Sequence, residues 1–77
     1  ARARRLSYKD QREFDALPAT IEAWENEKAT LESDIAEPAF YQRPKDEVTA
    51  ALSRLQTLGE EIEAAYARWA TLEARRG

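Results

Sequence analysis

A chain of 77 residues with 43% hydrophobic content holds one small domain at most, and fifteen of its apolar residues are alanine. A core of seven Leu, three Ile, one Val and seven aromatics joins a few helices but cannot wall off an active site. With no Cys and no His, disulfides, thiolate nucleophiles, imidazole bases and most transition-metal sites are excluded. Charged residues make up 35% of the chain and are mixed in sign, for a net charge of −3. No apolar run approaches the roughly 18 residues of a membrane span, and no signal-peptide pattern is visible. The chain opens on Ala1, not Met, and reads as a piece of a longer protein.

In chain order, residues 1–6 read as a basic linker remnant. Ser7 is positioned as an N-cap with Asp10 three residues on as its capping-box partner, and a short helix over about 8–16 follows. Pro18 disfavours helical geometry at Leu17 but suits a first turn, which predicts a break there and a second helix over 18–36. The stretch Glu37-Pro38-Ala39-Phe40-Tyr41-Gln42-Arg43-Pro44 interrupts the pattern, and a last helix is expected over about 45–75. Nothing alternates like a strand. The predicted fold is all-α: a two-helix antiparallel coiled-coil hairpin, residues 7–76, preceded by a short N-terminal helix.

The seam can be read from spacing. Phe14, Leu17, Ile21, Trp24, Lys28, Leu31 and Ile35 step by three and four, as do Val48, Leu52, Leu55, Gly59, Ile62, Tyr66 and Trp69. About eight loop residues require the two runs to be antiparallel. The register pairs Ile35 with Val48 at the turn and Phe14 with Trp69 at the open end, which sets Trp24 against Gly59. A bulky indole facing a missing side chain predicts a tight match there, one that Gly59→Leu would overpack. Lys28 is expected to lie along the seam by its stem and reach water with its ammonium. Ala51, Leu58, Ala65 and Leu72 form a second apolar line, read either as a broadening of the seam or as a docking ridge centred on Leu58 and Leu72.

Catalytic chemistry finds no foothold. Glu22, Glu25, Glu27, Glu32, Asp34, Glu60 and Glu61 fall on solvated faces, and a hairpin offers no cleft to separate the pKa values of paired carboxylates. A calcium loop, a glycine-rich phosphate loop and a nucleophile elbow are all absent from the sequence.

Charge is distributed unevenly. The open end, residues 1–16 with 66–77, carries Arg2, Arg4, Arg5, Lys9, Arg12, Arg68, Arg75 and Arg76 against four acids, a net +4. The remainder carries four basic residues against eleven acids, a net −7. A basic end on an acidic rod suits a phosphate backbone. The alternative is a solvated linker together with arginines that complement the dipole of the last helix. Tyr8 is expected to pack on the last helix, with base stacking as its other reading.

Leu6-Ser7-Tyr8-Lys9-Asp10-Gln11-Arg12-Glu13-Phe14 followed by Leu17-Pro18-Ala19 and Ile21-Glu22 resembles the C-terminal domain of Uup-type ABC-F ATPases. The resemblance continues through the Pro38–Tyr41 turn into Ala65-Tyr66-Ala67-Arg68-Trp69 and Leu72-Glu73. It implies a coiled-coil hairpin that follows two ATP-binding cassettes and a basic linker in a cytoplasmic, bacterial protein without a membrane domain. That family works on ribosomes and nucleic acid, and the Uup branch is associated with DNA binding and with suppressing precise transposon excision. By resemblance this chain is then a non-catalytic nucleic-acid-binding module; a monomer is expected because each helix finds its partner within the chain. ATP and Mg belong to the cassettes of the parent protein, and no cofactor is implied for this fragment. The partner is DNA, or alternatively rRNA or tRNA, bound weakly and without sequence preference. A looser likeness is to the tRNA-binding coiled-coil arm of valyl-tRNA synthetases. A third reading is a spacer that docks on its own ATPase core or on the ribosome through Leu58 and Leu72.

Overall fold

Two helices account for nearly all of the molecule. The computed structural model describes residues 6–76, so Arg2, Arg4 and Arg5 lie outside the described residues. Helix α1 runs from Tyr8–Ala36, a 3₁₀ turn from Pro38–Gln42, and helix α2 from Lys45–Arg76. The helices lie antiparallel in a rod of 58 × 17 × 15 Å.

Ser7 caps α1 as its sequence position indicates: its hydroxyl oxygen accepts from the Asp10 backbone N–H at 3.1 Å. The expected separate N-terminal helix is not present. Pro18 sits inside one continuous 29-residue helix. An interior proline forfeits one backbone hydrogen bond and costs about 3 kcal/mol. Phe14 and Ile21, both buried on α2, flank it and hold the two segments in line, so tertiary packing overrides the local break. At the other end of the hairpin, Pro38 starts the 3₁₀ turn, and Arg43 N–H donates back to the Phe40 carbonyl. The turn folds Phe40 inward until only 1% of it is exposed, plugging the closed end of the rod. Asp46 and Glu47 in the first turn of α2 and Arg75 and Arg76 in its last turn both complement the helix dipole.

The seam on α1 follows the predicted positions, with Phe14 and Ile21 buried and Leu17, Trp24, Lys28, Leu31 and Ile35 half-buried. The predicted register also holds at the open end, where the Phe14 and Trp69 rings stack at 5.5 Å and 19°. On α2 the seam differs. Leu58 and Leu72 are 0% exposed and Ala65 is buried, whereas Leu52 is 42% and Tyr66 49% exposed. The buried line is therefore Ala51, Leu58, Ala65 and Leu72, together with Val48, Leu55, Ile62 and Trp69, which both spacings share. The physical reason lies one heptad further along: the line through Leu52, Gly59 and Tyr66 ends on Glu73, and burying it would desolvate a phenol and a carboxylate. The Ala/Leu line buries only methyl and methylene groups.

Of the two readings of the second apolar line, the broadened seam holds and the docking ridge falls: Leu58 and Leu72 form core. Gly59 is not a socket for Trp24, because a Cβ built at Gly59 meets nothing within 4 Å. A larger residue there has room, so overpacking is not expected.

Gly59→Ala is therefore expected to stabilise the hairpin by about 1 kcal/mol through helix propensity alone. Leu58→Ala should cost about 2–5 kcal/mol by emptying a fully buried site. Thermal melts of the two variants check both signs, and a destabilised Gly59→Ala would restore the socket.

Candidate nucleic-acid interface

The open end brings together the start of α1 and the last two turns of α2. Antiparallel register places Asp10 and Glu13 beside Arg68 and Arg75. Arg68 forks onto Glu13, donating from Nε at 2.8 Å and from Nη2 at 3.0 Å. The same Nη2 reaches Asp10 Oδ1 at 3.3 Å, and Arg75 Nη1 lies 3.3 Å from Asp10 Oδ2. Asp10 therefore bridges two guanidinium groups and does not complete a capping box. Two-point pairing of this kind is the geometry in which arginine binds a carboxylate most directionally.

The hydrogen bond from Arg68 is the main cause that holds the Glu13 carboxyl below its ordinary 4.5, partly offset by desolvation. Reciprocally, Glu13 raises the already high pKa of the Arg68 guanidinium. The motif repeats two heptads away, where Arg54 donates to Glu27 at 2.7 and 2.9 Å, and the Glu27 carboxyl is lowered in the same way. These forks close one flank of the hairpin.

Of the five described basic residues expected at the open end, three form salt bridges within the chain. Arg68 and Arg75 hold Asp10 and Glu13. Arg76 lies 5.3 Å from the centre of the Phe14 ring and 3.9 Å from Glu73. Lys9 and Arg12 form no salt bridge among the described residues, and both are exposed. Tyr8 is 79% exposed and does not pack on α2 as expected. Its ring instead lies beneath the Arg12 guanidinium at 5.8 Å, one helical turn away. The cause is rotational: the seam of α1 runs through Asp10, Phe14 and Leu17, leaving Tyr8 and Arg12 on the outer face. Tyr8, Lys9 and Arg12 thus share the exposed first turns of α1, with neither cation in a salt bridge among the described residues. Within the described part of the open end five basic residues face four acids, so most of the predicted surplus belongs to Arg2, Arg4 and Arg5.

The latch formed by Asp10 and Glu13 was not anticipated from the sequence. Its signal was present: Glu13 and Glu27, like Arg54 and Arg68, are two heptads apart on the same flank.

Residues 5–74 match the family model of the ABC transporter C-terminal domain. The chain belongs to that family. It is similar to Uup-type proteins and to a solved Uup C-terminal domain. It is 42% identical over 72 residues to the ATP-binding protein Uup-like of Haemophilus influenzae, spanning 94% of this chain and 16% of that protein. To the ATP-binding protein Uup of Escherichia coli it is 34% identical over 70 residues, 91% of this chain and 11% of that protein. The chain thus spans only 11–16% of the length of these relatives. A solved structure of the C-terminal domain of the Uup protein, described as a DNA-binding coiled coil motif, matches with a TM-score of 0.88 at 34% identity. That match covers 92% of this chain and 84% of the other.

The lowered carboxyls give a pH dependence. Glu13 and Glu27 are charged and paired in the folded hairpin, so their stabilisation is complete above the unfolded value near 4.5 and is lost as pH falls through their lower folded values. Glu13→Gln with Glu27→Gln should melt lower than the parent at neutral pH. It should then lose less stability on acidification, so that the two melting curves converge below 4.5. Parallel curves would mean that the forks contribute nothing to stability.

Proposed function

We propose that this chain is a DNA-binding accessory module of an ABC-F ATP-binding protein, with its nucleic-acid surface at the open end of the hairpin. The observation that carries this reading is the likeness to the solved Uup C-terminal domain, which extends over nearly the whole of both chains. Residues 7–76 form the folded module and residues 1–6 the basic linker that leads into it.

The geometry supports a division of labour among the eight basic residues. Lys9 and Arg12 are exposed and unneutralised, so they meet phosphate oxygens directly, with Arg2, Arg4 and Arg5 adding charge from the linker. Tyr8, held by Arg12 on the outer face, offers a ring on which an unpaired base can stack. Arg68, Arg75 and Arg76 form a reserve: they bind phosphate by exchanging a carboxylate or ring partner for it. The acidic middle of the rod repels the same backbone and orients the duplex toward the end. Contacts of this kind carry no base readout, so binding is sequence-nonspecific. RNA, including rRNA or tRNA, shares the phosphate chemistry and is the second partner class.

The module is non-catalytic in this reading and acts as a monomer, since each helix already has its partner within the chain. ATP and Mg are implied for the cassettes of the parent protein and not for this fragment. Among the described residues no helix is long and apolar enough to cross a membrane. We place the parent in the bacterial cytoplasm, by its likeness to the Uup proteins, with the ribosome and its own cassettes as further partners.

Binding to a short DNA duplex should weaken with salt. Each neutralised phosphate contributes a slope of about −0.9 in log affinity against log salt, so four contacts give about −3 to −4. Lys9→Ala with Arg12→Ala should flatten that slope by roughly two contacts. Arg43→Ala with Lys45→Ala, at the closed end, should leave it nearly unchanged. Asp10→Asn with Glu13→Gln should tighten binding and steepen the slope, because Arg68 and Arg75 are released to phosphate. A slope unaffected by Lys9 and Arg12 would place the contacts elsewhere, and no measurable binding at low salt would remove the function.

A further inference from the structure

The two flanks of the hairpin are unlike. One is closed by the forks of Arg54 on Glu27 and Arg68 on Glu13. The other is open along Leu52, Gly59 and Tyr66, the line that rotation of α2 turned out of the seam. Two hollows run along it, meeting at the Tyr66–Glu25 bridge between the helices. One, of about 300 Å³, is lined by Pro18, Ile21, Glu22, Glu25, Tyr66 and Trp69. The next, of about 480 Å³, passes over Ala29, Gly59 and Ile62 beneath Glu32 and Glu63. The Tyr66 hydroxyl donates to Glu25 Oε2 at 2.9 Å where the two meet, and that bond is the main cause that raises the phenol's pKa.

Gly59 has no explanation within the hairpin. It sits in the middle of a 32-residue helix, where it costs about 1 kcal/mol against alanine, and its missing side chain accommodates no neighbour. Such a glycine is accounted for by close approach of another backbone from outside. The rim states the charge of that visitor. Glu22, Glu25, Glu32 and Glu63 border the groove, and its one lysine, Lys28, is already paired with Glu32 at 3.4 Å. Nucleic acid is repelled here.

We propose that this flank is a docking groove for a basic amphipathic helix of another polypeptide, whose apolar side lies over Gly59, Ile62 and Tyr66 and whose Lys or Arg side chains meet the glutamate rim. From Pro18 to Glu32 the groove follows α1 for about 20 Å at 1.5 Å per residue, the length of roughly 14 helical residues. The hairpin thereby becomes a local three-helix bundle, with anchors at the i, i+3/i+4 and i+7 spacing that helix-in-groove recognition uses. This surface shares Tyr66 and Trp69 with the open end but does not include Tyr8, Lys9 or Arg12, so it allows the module to hold a basic protein and a nucleic acid together.

The test uses a 15-residue helical peptide with leucine at those anchor spacings and lysine elsewhere, titrated into the labelled 77-residue chain and followed by amide NMR. Shifts are expected at Ile21, Gly59, Ile62, Tyr66 and Trp69. Gly59→Leu should fill the groove and weaken the peptide by roughly tenfold or more, while the variant melts no lower than the parent. A peptide with glutamate in place of lysine should not bind. The titration is run without DNA, whose phosphates would bind the lysine peptide themselves, so its outcome is independent of the DNA-binding reading. The proposal is overturned if the lysine peptide does not bind, if Gly59→Leu binds it equally well, or if its shifts fall at the outer face of Lys9 and Arg12. It is overturned equally if sedimentation shows that a second copy of the chain covers the groove.

Discussion

The rotational setting of α2 governs the rest of the molecule. Burying Leu58 and Leu72 completely fixes which face of α2 meets α1, and that choice sets three things at once. It brings Arg54 and Arg68 level with Glu27 and Glu13, so that one flank is closed by forked ion pairs. It carries Leu52, Gly59 and Tyr66 outward and opens the opposite flank. It also presses Trp69 onto Phe14 and leaves the outer surface of the first turn of α1 free, where Tyr8, Lys9 and Arg12 stand. An apolar choice in the middle of the rod thereby decides the chemistry of both its flanks and of its end.

The division of charge at the open end has a functional consequence. A module with every arginine free would bind any polyanion strongly and would repel itself when folded. Here Asp10 and Glu13 neutralise two guanidinium groups within the fold. The ion pairs hold the helices together in the free state and are exchanged for phosphate in the proposed bound one. Because the exchange replaces one anion by another around the same arginines, binding gains less than a simple count of positive charges implies.

Much of this was legible in the sequence. The proline-flanked loop and the three-and-four spacing of Phe14 through Ile35 indicate an antiparallel hairpin, and the predicted pairing of Phe14 with Trp69 is present. Three features were not legible from local rules. Val48, Leu55, Ile62 and Trp69 belong to two alternative heptads, and the choice between them depends on the cost of desolvating Tyr66 and Glu73, which spacing does not weigh. Pro18 carries a local break signal that burial of Phe14 and Ile21 overrides. Phe40 sits in a turn by pattern, yet the 3₁₀ geometry after Pro38 folds it into the core. At the candidate interface, clustering identified the basic residues but not their partners, because the pairing of Arg68 with Glu13 exists only once the register is set. The family, by contrast, was carried by the Leu6–Phe14 and Tyr66–Trp69 segments.

Amide chemical-shift mapping of this chain against a short DNA duplex at low salt tests the placement of the nucleic-acid surface most directly. Perturbations concentrated at Tyr8, Lys9 and Arg12, extending to Arg68 and Arg75, are the predicted result. Perturbations centred on the Phe40–Tyr41 turn, or along the acidic flank at Gly59 and Glu63, would contradict it.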